Sequence, residues 1–412
     1  MGWPEPARAG LNGFCAGLLD LPAGDAGRLA AAVEDYSYRL PVAARAAMIS
    51  GFLGLDALAV ATTGSRLGSL DPGRRDALMA RVGRSRLREV VEALKVPVLL
   101  VHGARLAAPD LQALNQAPPA RPDAGLRVVP SAGWPSRHVT GVVIVGSGAG
   151  GAVAARTLAR AGVSCVIVEE GRRWGVEEFR TGAALDRFAG LYRDGGATIA
   201  LGRPPVALPI GRGVGGTTLV NSGTCYRTPR PVLERWRDAH GVDLADPDRF
   251  DPRLDSVEEM LQVAPVPDAV MGRNGRLALL GAARLGWSSH PLRRNAPGCG
   301  GCCQCAIGCP RNAKFGVHLN ALPDACAAGA VIVAGARVER VLHGGGRATG
   351  VRARRPDGSS LEILADHVVV EHGGPSGAQR RRLVRGDGGR HQRGPADPGR
   401  PGGPRGPAAP GP

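Results

Sequence analysis

Gly146-Ser147-Gly148-Ala149-Gly150-Gly151 carries the spacing G-x-G-x-x-G at Gly146, Gly148 and Gly151. The chain has 62 glycines, so the spacing alone says little. Its surroundings say more. The apolar run Gly141–Val145 reads as a buried strand, Ala152–Ala161 as a helix and Val163–Val168 as a second strand, with Glu169 at its end. That is a Rossmann-like β-α-β unit built to hold a dinucleotide. The first glycine permits the tight turn, the second admits a diphosphate to the backbone, and the third lets the helix pack on the strand. The helix start offers free N–H groups and partial positive charge to the phosphates. Glu169 is expected to accept ribose hydroxyls. Glu170 follows it, and strand alternation predicts that only one of the two faces the ligand.

A second cluster, Gly211-Arg-Gly-Val-Gly215-Gly216-Thr217-Thr218-Leu219-Val220-Asn221, supplies another backbone-rich loop. NAD and FAD both fit the first loop. Two such loops suit a long cofactor buried along its whole length, which favours FAD.

Five of the nine cysteines crowd into one run, Cys299, Cys302, Cys303, Cys305 and Cys309. Cys299-x2-Cys302-x2-Cys305-x3-Cys309-Pro310 has the spacing of a bacterial ferredoxin loop. In two-cluster ferredoxins the fourth cysteine of such a run serves the other cluster, and no second run is present here. The reading taken is a structural loop with no metal assigned. An iron–sulfur or other metal site and a redox-active disulfide are the alternatives.

These motifs together resemble the glucose-methanol-choline (GMC) oxidoreductase family. The resemblance rests on Gly146–Gly151 with Glu169, and on Gly211–Asn221 leading into Tyr226-Arg227-Thr228-Pro229. It rests also on Cys305–Lys314, and on Ala336–Val341 with Gly346–Val351. It covers roughly residues 138–370. The helical region 15–114 is similar to the N-terminal extension of long-chain fatty alcohol oxidases. The resemblance implies tightly held FAD, with Gly146, Gly148, Gly151 and Glu169 at its ADP half. Gly215, Gly216, Thr217 and Asn221 would lie by the pyrophosphate and flavin, and the Val338 backbone by adenine. It implies hydride transfer from the CH–OH group of an alcohol, long-chain or bulky, with oxygen or an electron carrier as acceptor. The alternative function is a flavin- or NAD-binding electron-transfer subunit with an iron–sulfur cluster at Cys299–Cys309.

The elements that must position these residues follow from composition and pattern. Residues 1–114 read as an α-helical N-terminal region, with helices at Arg28–Leu40, Ala43–Val60 and Asp76–Leu94 and breaks at Pro41 and Pro97. Residues 115–137, with five prolines, read as a Pro-rich linker or an extended crossing segment. Residues 138–370 read as an α/β FAD-binding domain interleaved with partial substrate-domain segments. It closes on a β-meander of short strands at Val331–Val333, Arg337–Leu342, Ala348–Arg354, Ser360–Leu364 and His367–Val370.

Residues 371–412 hold 12 Gly, 8 Pro and 8 Arg and read as a disordered tail. The abrupt change is read as a frameshift or premature end, with a natural low-complexity arm as the alternative. The family's catalytic pair, a His with His or Asn, belongs beyond the last flavin strand. No catalytic residue is therefore assigned. His372 and His391 fall in the tail, and His102, His240, His290 and His318 read as structural. The expectation is a chain inactive or misfolded as it stands.

The net charge is +16, yet Lys95 and Lys314 are the only lysines. Arginine in place of lysine, with abundant Gly, Pro and Ala, is the mark of a GC-rich gene. Aromatic residues are 4%, thin for base stacking. No nucleic-acid partner is expected. Ala46–Ala61, interrupted by Asp56, reads as too short to span a membrane. The expected location is the cytoplasm, with peripheral membrane contact as the alternative.

Overall fold

The computed structural model describes residues 2–200 and 206–371. The tail 372–412, with His372, His391 and the break in composition, lies outside the described residues.

Five helices precede the β-α-β unit: α1 (Glu5–Leu19), α2 (Ala23–Ser37), α3 (Val42–Thr63), α4 (Pro72–Gly83) and α5 (Arg88–Leu114). Their core is aromatic at one end. Phe52 of α3 meets Phe14 edge-on at 5.5 Å and Trp3 at 5.9 Å. The Trp3 indole donates to the Ser37 hydroxyl at 3.1 Å, which satisfies its one polar atom. Helix α3 is longer than its apolar run predicted, and by length and composition alone it could cross a membrane. Here Met48, Phe52, Leu55 and Ala59 face the bundle core. Asp56 is buried with them, and its carboxylate accepts the Leu67 N–H at 3.0 Å.

Two expectations fail in this region. Pro97 does not break a helix. Helix α5 runs through both Pro97 and Pro109, each lacking a backbone N–H, with Val91, Leu94, Val98 and Val101 buried along one side. The single helix expected over Asp76–Leu94 is two, because α4 ends at Gly83.

The segment 115–137 is not a free linker. Its end forms an edge strand, β1 (Val128–Pro130), paired in parallel with a later strand. Pro130 is tolerated because an edge strand needs no N–H on its open side.

The main sheet has seven strands: β1, then β2 (Arg137–Val145), β3 (Cys165–Glu169), β4 (Val331–Ala334), β5 (Arg337–Gly344), β6 (Arg347–Arg354) and β7 (Ser360–Val370). Their spatial order is β1-β4-β3-β2-β7-β6-β5. The first five are parallel neighbours, and β7, β6 and β5 pair antiparallel as the meander. The two short strands expected at Ser360–Leu364 and His367–Val370 are one. Residues 360–364 pair with β6 and residues 362–370 with β2, so the two pairings overlap and no turn separates the halves.

Strand alternation divides the core. Val142 and Ile144 face helix α6 (Ala149–Arg160) and helix α7 (Ala321–Ala327). Val143 faces the other way, with Val341, Val351, Leu361 and Ile363 of the meander. The buried guanidinium of Arg355 fastens the meander turn to the chain before β2, donating to the carbonyls of Ser131 (2.9 Å) and Trp134 (2.8 Å).

Phe52→Ala empties the middle of the helical core. Chemical denaturation followed by circular dichroism should show a loss of about 3–5 kcal/mol.

Candidate functional site

Strand β2 delivers the chain to Gly146, whose N–H donates to Val168 O of β3 at 2.9 Å. Gly146 has φ +95°, a conformation that a side chain resists. Helix α6 starts three residues later, and its cap residue Gly148 has no side chain to satisfy the first N–H groups. At Gly151 a Cβ would run into the Gly146 carbonyl oxygen. The third glycine of the motif therefore lets the helix close on the turn.

Glu169 stands where β3 ends, 5% exposed. One carboxylate oxygen accepts the Ser147 hydroxyl at 2.7 Å and the Ser147 N–H at 3.1 Å. The other accepts the Gly171 N–H at 2.9 Å. Burial pushes the carboxyl above its ordinary range, and these hydrogen bonds oppose the rise. A carboxylate offers about four lone-pair sites, so one stays available to a ribose hydroxyl.

The alternation argument does not extend to Glu170. It lies beyond the strand end, lines the same cavity as Glu169 and pairs with Arg193 at 2.6 Å.

The second glycine loop closes against the first. The Gly215 N–H donates to the Ser147 hydroxyl at 3.0 Å. Gly216 crosses Gly148 so closely that a Cβ would lie 2.8 Å from the Gly148 Cα. Thr217 Oγ1 accepts the Gly211 N–H at 3.1 Å and fixes the loop's width. Behind the loop, Lys314 is 2% exposed. Its ammonium donates to the carbonyls of Leu219 (2.7 Å), Asn221 (2.8 Å) and Cys305 (3.0 Å). Burial pushes its pKa down to about 8.

Both loops border one cavity of about 590 Å³, within the range of cofactor pockets. Of the residues singled out from sequence, Gly146, Gly148, Glu169, Gly216, Thr217, Asn221 and Val338 line it. Gly151 and Gly215 stand behind the wall and shape it. Sequence reasoning missed Arg193 and Arg337, which line the cavity beside the acids, and Ser147, which joins the two loops. Only Ser147 carried a signal, as the polar residue inside the first loop.

A long cavity beginning at an uncapped helix start and reaching the β5 residue Val338 fits an extended dinucleotide. The chain itself places an anion there, since the Glu371 carboxylate rests against Gly150. Among the described residues no histidine lines the cavity.

Comparison with known proteins agrees with this geometry. Residues 188–377 match the GMC oxidoreductase family, and residues 139–209 match an FAD binding domain. An uncharacterized GMC-type oxidoreductase of Mycobacterium tuberculosis is 58% identical over 344 residues, 83% of this chain and 55% of that protein. A long-chain-alcohol oxidase of Arabidopsis thaliana is 30% identical over 57% of this chain and 32% of its own length. The solved structure of Aspergillus oryzae formate oxidase aligns at 17% identity and TM-score 0.43, over 57% of this chain and 46% of that one. The chain thus spans about half the length, or less, of the relatives it matches.

Ser147→Ala strips the Glu169 carboxylate and the Gly215 N–H of a shared partner. At about 1–3 kcal/mol, FAD binding should weaken roughly 10- to 100-fold by fluorescence titration. Gly151→Ala should abolish it.

Lys314 yields a pH dependence of stability. The folded chain holds the ammonium proton less tightly than the unfolded chain, because its pKa falls from 10.5 to about 8. Between those values the unfolded state binds more protons, so stability rises with pH. Lys314→Met should remove that rise, measured by urea unfolding across the window.

Proposed function

The chain belongs to the GMC oxidoreductase family and binds FAD, and on that premise we propose that it serves the oxidation of an alcohol CH–OH group, the alcohol being long-chain or bulky. The observation that carries this reading is the single cavity bounded by two glycine loops and joined through Ser147. Bound FAD supplies the hydride acceptor, with oxygen or an electron carrier as the final oxidant.

In this reading the start of α6 and the backbone of Gly146 and Gly148 hold the diphosphate, and Glu169 holds a ribose hydroxyl. Gly216, Thr217 and Asn221 border the far half of the cavity, and the Val338 backbone meets adenine. Gly151 and Gly215 hold the loops in shape. The likeness to a plant long-chain-alcohol oxidase supports the choice of a long-chain substrate. The substrate reading concerns the whole protein, of which this chain matches about half.

The chain with bound flavin tests both parts. Purified 1–412 should retain FAD and show no saturable binding of NAD. Dithionite should bleach the flavin. A long-chain primary alcohol under anaerobic conditions should bleach it as well. Tight NAD binding without FAD would overturn the cofactor site. A flavin that dithionite bleaches and no long-chain alcohol bleaches would overturn the substrate reading.

A further inference from the structure

The loop 299–314 is fastened to the second glycine loop through Lys314, but its cysteines take no part in the FAD reading. Cys299, Cys302, Cys305 and Cys309 all line one small cavity of about 70 Å³. All are free thiols. Cys303 also lines the cavity but is exposed, with its thiol donating to the Gly301 carbonyl.

Three of the four sulfurs already accept N–H groups. Arg294 reaches Cys305 Sγ at 3.0 Å and Cys299 Sγ at 4.0 Å. The Gly301 N–H reaches Cys299 Sγ at 3.5 Å, and the Lys314 N–H reaches Cys309 Sγ at 3.5 Å. N–H donors aimed at sulfur are contacts that a metal-bound sulfur accepts.

The surroundings are cationic and lack counter-charge. Arg294, Arg311 and Lys314 line the cavity, and Arg187 reaches the same loop, donating to Gln304 Oε1 at 3.0 Å. None of the four makes an ion pair with a carboxylate among the described residues. Arg187 is 2% exposed; its terminal nitrogens donate to neutral acceptors, Phe179 O (2.7 Å), Ile307 O (3.3 Å) and Gln304 Oε1 (3.0 Å), and its Nε has no partner; neither has the buried Arg311 Nε. Buried cations in this state are costly unless an anion faces them. Neutral thiols do not supply one. Metal-bound thiolates do.

The kind of metal follows from the spacing. Among the described residues no three metal-binding groups gather tightly enough for one ion. Zinc holds its sulfurs at about 2.3 Å and would require that gathering. A cluster distributes its cysteines over several iron atoms, and C-x2-C-x2-C-x3-C-P is a run that wraps one. The objection that Cys309 would serve a different cluster falls, because it borders the same cavity as the other three.

We propose that Cys299, Cys302, Cys305 and Cys309 bind one [4Fe–4S] iron–sulfur cluster, with Arg187, Arg294, Arg311 and Lys314 balancing its negative charge. The site depends on neither the alcohol nor the flavin assignment.

The test is anaerobic reconstitution of the full chain with ferric iron, a dithiol reductant and sulfide, so that half of the iron is reduced to ferrous as the cluster forms, read by iron and acid-labile sulfide analysis. The expected result is about four of each per chain, with visible absorption that dithionite bleaches. Cys302→Ser and Cys309→Ser should each lose most of the iron, roughly tenfold. Cys303→Ser should keep it. FAD content measured on every variant separates loss of the cluster from loss of the fold. If a variant unfolds, the stoichiometry of the unsubstituted chain still decides the question. Iron without sulfide, zinc in place of iron, no metal at all, or iron undiminished in Cys302→Ser would each overturn the proposal.

Discussion

The Ser147 hydroxyl is the point on which the cofactor site depends. It donates to Glu169, at the end of β3, and accepts from the Gly215 backbone in the second glycine loop. Three segments distant in sequence meet on one oxygen atom. Without it the carboxylate and the amide would face each other across a buried gap with no shared partner. The glycines create room for a cofactor, and the hydroxyl determines that the room has a fixed shape.

The same economy appears one layer further back. Lys314 spends all three of its ammonium hydrogens on carbonyls, two from the second glycine loop and one from the cysteine loop. An ammonium suits this place because it donates in three directions at once, where a planar guanidinium would not. The chain keeps only two lysines. One of them sits at a buried junction that arginine geometry could not fill.

The local parts of this protein were legible in its sequence. The strand–turn–helix around Gly146–Gly151 could be read from spacing because its tightest approach, Gly151 against the Gly146 carbonyl, lies within a few residues. Seven of the nine cofactor residues expected from sequence line the cavity. What could not be read are pairings across distance. The Ser147 bonds span 22 and 68 residues. The Arg193–Glu170 pair and the convergence of four cations on the cysteine loop leave no periodic trace in a chain so rich in arginine. Pro97 misled because a proline removes one hydrogen bond from a long helix whose packed side can carry the loss. In the Pro-rich stretch before β2, Pro130 ends an edge strand, which tolerates what a central strand cannot.

Strand β7 has a consequence for how the molecule is made. Val370 is the register partner of Val145, and the sheet between them is parallel. The five helices of residues 5–114 contain their own core and emerge before the strands of the main sheet. Strand β2 emerges soon after them, yet one of its two neighbours, β7, follows every other strand of that sheet among the described residues. Through all that time its edge lies open, an adhesive surface for other chains. The long interval between partners makes this a slow and exposed folding step, and a cell producing this protein would need to shield β2 until β7 arrives.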